Sequence, residues 1–166
     1  MANPTRIEGD MFVAGNISSR TMAIPDGTVI NADVSASAAI AATKMEHRHQ
    51  VHYSQEVDTT AADEGRVIHV VYGSTGSIVA VEAGCVIANI GDSTVTVDLH
   101  NNGASILTAP ISIDSGDAAY AIVAGSIDTA ALADDDVLEV IIDATVGGGT
   151  LGKGLFVSVI ISEDAA

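Results

Sequence analysis

GRVIHVVYGSTGSIVAVEAGCVIANIGDSTVTVDL, from Gly65 to Leu99, decides the fold class. Valine and isoleucine dominate it, and glycines punctuate it. β-branched side chains pack well on a pleated surface and lose rotamer freedom in a helix, so the stretch reads as four short strands in close succession. The cleanest period is in Thr94–His100, where Val95, Val97 and Leu99 point one way and Thr96, Asp98 and His100 the other. That alternation needs one buried face and one wet face.

Outward from this stretch the same pattern continues. Run length and turn punctuation give about eight strands, near 66–72, 77–82, 85–90, 94–100, 104–108, 119–127, 137–143 and 154–161. The links carry turn residues: Gly73-Ser74-Thr75-Gly76, Gly91-Asp92, Ser115-Gly116-Asp117, Ala133–Asp136 and Gly147-Gly148-Gly149. Asn102-Gly103 is a hairpin signal, because both residues tolerate positive φ. Ala130–Ala133 suits a single helical turn. Closely spaced strands without helices between them predict an all-β fold, a β-sandwich with an eight-stranded jelly roll as the leading form.

Upstream, residues 47–64 (HRHQVHYSQEVDTTAADE) read as a polar connection, with Val51, Tyr53 and Val57 offering an edge strand and Asp58–Glu64 a loop. Residues 33–46, DVSASAAIAATKME, predict the one helix, capped by Asp33 or Asn31 and closed by Lys44 near its C-terminal end. Val34, Ala38, Ala41 and Met45 make a narrow stripe on it. Such a stripe packs against copies of itself around a symmetry axis or lies on its own sheet. Residues 1–30 hold Pro4, Pro25 and scattered apolar residues, Phe12, Val13, Ile17, Met22 and Ile24 among them, without sustained period. This is too apolar for a solvated tail and predicts an extended arm that buries those side chains against a partner. The expected organisation is therefore an arm plus short helix over 1–50 and a β-sandwich domain over 51–166.

Composition narrows the function classes. The 166 residues suffice for one β domain and an arm. Aromatics are 3% and tryptophan is absent, so the core must be Val, Ile, Ala and Leu. No apolar run approaches the roughly 18 residues of a membrane span. Residues 1–50 carry four of the six basic residues against five acids, a balance of −1; residues 51–166 carry Arg66 and Lys153 against seventeen acids, a balance of −15. So acidic a surface repels phosphate backbones, which argues against direct nucleic-acid binding. It suits a domain facing solvent, with the near-neutral arm facing something else.

Several stretches invite a chemical reading. Gly147–Gly154 (GGGTLGKG) nearly matches a phosphate-binding loop, but Gly154 replaces the hydroxyl residue that would hold magnesium, and a strand follows instead of a helix. A hairpin loop is the better reading. His47, His49 and His52 form an H-x-H-x-x-H cluster; in an extended segment the first two share a face, and imidazole is a common zinc, copper or nickel ligand. No cysteine or well-placed carboxylate completes the set, so these three are weak metal candidates. His69, between Val67 and Val71, reads as hydrogen-bonded or interfacial. Asp134–Asp136 and Asp114/Asp117 lack the spacing of a calcium loop and read as solvated acidic turns. The single Cys85, within an apolar strand, is a core residue. There is no Gly-x-Ser-x-Gly elbow and no HExxH, so no enzyme and no cofactor are expected.

An arm ending in INADVSASAAIAATKMEHRHQ, followed by VIHVVYGSTGSIVAVEAGCVIANIGDSTVTVDLHNNGASIL and DVLEVIIDATVGGGTLGKGLFVSVII, resembles phage head-decoration (cement) proteins. The resemblance covers most of the chain and is one of pattern and composition. It implies a β-sandwich structural virion protein on the outer surface of a capsid, commonly a homotrimer. Its partners would be itself and the major capsid protein, gripped through the arm. A fibre or tail-associated module recognising a host-surface ligand is the alternative.

Overall fold

The computed structural model describes residues 47–164; the arm, the expected helix at 33–46 and the interface residues placed on them lie outside the described residues. Among the described residues there is no helix. Ten strands occur in chain order. They are β1 (His47–Ser54), β2 (Glu64–Val70), β3 (Gly76–Ile87), β4 (Thr94–Asn101), β5 (Ala104–Ser105), β6 (Ile111–Ile113), β7 (Val123–Ala124), β8 (Ala131–Leu132), β9 (Val137–Thr145) and β10 (Lys153–Glu163). All pairings are antiparallel. The first sheet has the order β1-β10-β3-β7, with β8 also on β3; the second has β2-β9-β4-β5, with β6 also on β4. The fold is all-β and sandwich-like.

One core lies between the sheets. Val81, Ala83 and Cys85 of β3 and Leu155, Val157, Val159 and Ile161 of β10 meet Val95, Val97 and Leu99 of β4 and Leu138, Val140 and Ile142 of β9. The expected alternation in β4 is observed: its three apolar residues are fully buried and the residues between them are half-exposed. Each such aliphatic side chain stabilises the sandwich by about 1.5–3 kcal/mol on burial. Asn102 and Gly103 both have positive φ and join β4 to β5, as the hairpin signal predicts.

Four expectations need correction. The stretches 77–82 and 85–90 are one strand, β3, because Gly84 does not break it. A Cβ there would lie 2.2 Å from the Ala121 carbonyl oxygen and 2.5 Å from the Phe156 ring, so only glycine lets these two groups lie against the strand. The edge strand offered by Val51 and Tyr53 exists but is longer than expected, taking in His47–Ser54 and pairing over its length with β10, while Val57 lies beyond it. The expected strands 104–108 and 119–127 are reduced to β5 and β7, with β6 and β8 beyond them. Ala130–Ala133 is no helical turn; its centre is β8, held on β3 by the Gly76–Leu132 and Ser77–Ala131 pairings.

Candidate functional site

β1 and β2 are the edge strands of the two sheets on one side of the sandwich, and their facing residues make a polar seam. His47 and His49 share the inward face of β1, as the extended spacing predicts, and their rings stack with centroids 6.2 Å apart. His52 falls on the opposite face, opposite Ser158, and so leaves the cluster. Its place is taken by His69 of β2 and Glu163 of β10. His49 Nε2 lies 2.9 Å from Glu163 Oε2, and His69 Nε2 lies 3.2 Å from Glu163 Oε1. A bulge on β2 between Val67 and His69 sets His69 opposite Leu138 and aims it inward; bulges re-aim side chains in this way. The carboxylate sits between the two imidazoles and links the sheets. The rings do not converge on one point, and among the described residues no group of three or more His, Cys, Asp or Glu side chains is arranged to hold a metal ion.

Farther along the same seam, Tyr53, Gln55, Glu56, Glu64 and Arg66 line an open cleft of ≈ 460 Å³. Tyr53 donates its hydroxyl to Glu64, whose other oxygen accepts from Arg66 Nε at 3.0 Å. The Arg66 guanidinium lies over the Tyr53 ring at 5.7 Å. The Tyr53 hydroxyl and the Arg66 guanidinium hold the Glu64 carboxyl below its usual range, while burial and then the bond to Glu64 push the Tyr53 phenol up. Tyr53, Glu64 and Arg66 satisfy one another, so that part of the cleft is an internal brace more than a reactive site.

A scan against protein-family models finds no match, and a search of curated proteins finds no significant relative. The site must be read from its own geometry.

The acidic turns are consumed internally. Asp136 accepts from Ala133 N at 2.8 Å, Asn101 Nδ2 at 2.7 Å and Asn102 Nδ2 at 2.7 Å. These donors hold its carboxyl below the usual range, the Ala133 N–H most of all. Asp134 accepts from Gly73 N, and Asp114 and Asp117 accept from backbone N–H groups of their own turn. Cys85 is buried, which pushes its thiol up and leaves it a core residue.

At the end of the sandwich where β1, β3 and β9 finish, four loops are tied together. Ile90 and Thr150 exchange both backbone hydrogen bonds at 2.9 Å. Ala61 N donates to Gly152 O at 2.9 Å, and Tyr120 N to Cys85 O at 2.9 Å. Buried Asn89 pins the arrangement, donating to Ile113 O at 2.9 Å and accepting from Gly152 N at 2.7 Å. The glycine-rich stretch is thus a hairpin loop laid against the β3–β4 loop. A Cβ on Gly149 would fall 1.7 Å from the Ile90 carbonyl oxygen.

Neither His69 with Glu163 nor this loop end stands out in sequence. The first pair meets only through the β1–β10 register and the β2 bulge, which no local pattern announces. For the loops the signal is partial: Ile90 and Val146 are large apolar residues beside turn glycines, whereas Tyr120 and Ile122 lie in an apolar run that reads as strand.

Proposed function

We propose that this chain is a structural virion protein with a jelly-roll sandwich, decorating the outside of an assembled phage capsid as a homotrimer. On this reading the first fifty residues grip capsid subunits and the acidic module faces outward. The strand order supports the jelly-roll part: the chain crosses between the sheets from β1 to β2, β2 to β3, β3 to β4, β6 to β7, β8 to β9 and β9 to β10, while β4–β6 stay in the second sheet and β7–β8 in the first. The observation that carries the reading is an unequal charge on the two outer faces. In the second sheet the outward residues include Asp98, Glu139 and Asp143. In the first, Phe156, Ser158 and Ile160 of β10 are flanked by Ala80, Glu82 and Gly84 of β3 and by Gln50 and His52 of β1, with Glu82 the one acid. A module with seventeen acids that keeps one face nearly free of them is suited to a neighbour there, because desolvating carboxylates opposes association.

The test is co-sedimentation with the assembled capsids. The full chain should bind as a trimer by light scattering, and deletion of residues 1–30 should abolish binding while leaving the β module folded. Undiminished binding by the deletion would remove the arm from the mechanism. Binding to a host surface in place of capsids would favour the fibre-module alternative.

A further inference from the structure

The loop end concentrates exposed apolar side chains. Val57, Ile87, Ile90, Tyr120, Ile122 and Val146 all lie there, exposed between 45% for Ile87 and 69% for Tyr120. Scattered exposed aliphatics need no explanation, but a concentrated set marks an interaction surface. Two features show that this set is held in place. The loops carrying it are cross-linked through Asn89, the Ile90–Thr150 pair and the Ala61–Gly152 bond, so the patch is ordered before anything binds. Tyr120, the most exposed of the six, has φ 64, a left-handed conformation uncommon for a residue with a side chain and one the surrounding loops must hold.

Charge decides the occupant. The four loops, 55–63, 88–93, 114–122 and 146–152, carry six acids (Glu56, Asp58, Asp63, Asp92, Asp114 and Asp117) and no Lys or Arg. A second copy meeting end to end would set these acids against their own kind, so the end does not suit self-association. We propose that the loop end docks a basic amphipathic protein segment, its apolar side chains on the Ile90–Tyr120–Ile122 patch and its Lys or Arg residues against the acidic rim. The inference rests on the geometry and charge of the loops and stands whether or not the chain decorates a capsid.

The experiment titrates the isotope-labelled full chain with two helical peptides, one of leucine and lysine, the other of leucine and glutamate. The lysine peptide should shift the amides of Val57, Ile90, Tyr120 and Ile122, and should weaken severalfold between about 50 and 300 mM salt. Paired Ile90→Asp and Ile122→Asp substitutions should weaken it roughly tenfold or more, since two burying side chains are lost. Val67→Asp, an exposed apolar position on the outer face of the second sheet, should leave binding unchanged. Should the Asp pair disturb folding, Ile90→Ser with Ile122→Ser replaces it. Equal binding of the glutamate peptide, shifts centred elsewhere, or unchanged affinity in the paired variants would each overturn the proposal. So would an oligomer of the full chain that dissociates in those variants, because the occupant would then be a second copy.

Discussion

The two ends of the sandwich solve the same problem in opposite ways. At the end where β1 starts and β10 finishes, acids and amides satisfy one another: Asp136 is held by Ala133, Asn101 and Asn102, and Glu163 lies between His49 and His69. At the other end the backbone is satisfied by loop-to-loop bonds and Asn89, while acids and large apolar side chains are left outward. The lesson is that exposure follows from what each end uses for its internal bonding. At the loop end Asp63, Asp114 and Asp117 also accept backbone N–H groups, but these bonds leave the charge on the rim.

The contrast can be broken by substitutions, and the loop end should yield the largest effects. Gly149→Ala forces a methyl into the Ile90 carbonyl, so the hairpin must move; about 3 kcal/mol of stability should be lost in urea denaturation, with little disturbance at Asn101–Asp136. Asn89→Ala leaves a buried N–H and a buried carbonyl without partners and should cost about 2–3 kcal/mol. Amide exchange of Gly152 and Ile90 should quicken in that variant, while exchange in β4 keeps its rank.

At the opposite end Asp136→Asn should cost about 1 kcal/mol near neutral pH, through lost charge-assisted bonds. Because the Asp136 carboxyl is held below its ordinary value of 3.8, its contribution is present above that value and disappears as pH falls through the lower folded value. The variant should therefore show a shallower loss of stability on acidification, measured by denaturant midpoints against pH. His69→Gln should have the smallest effect, below about 1 kcal/mol, since the Glu163 contact is partly solvated. A larger loss would mean that the seam, more than the core, holds the sheets together there.

Much of the second sheet was legible in sequence because β4 and β9 bury one face and wet the other, which writes a period of two into the chain. The first sheet was harder. Gly84 reads as a breaker until Phe156 arrives from β10, and β1 looks polar because Val51 and Tyr53 are the chief apolar residues facing inward from it. Within the site, His47 and His49 were placed together by local spacing, whereas His69 and Glu163 needed long-range register. Charge balance pointed to an outward-facing module but not to the concentration of aliphatics in four separate loops, which only the closed sandwich brings together.

The position of β10 between β1 and β3 governs how the module can be made. Its first strand has no partner in its sheet until residues 153–163 have been synthesised, and β3 lacks its longest neighbour until then. Until then Val81, Ala83 and Cys85 lack the core neighbours Leu155, Val157, Val159 and Ile161 that β10 brings. The first sheet can therefore close only once β10 is available, however early β1 and β3 are made.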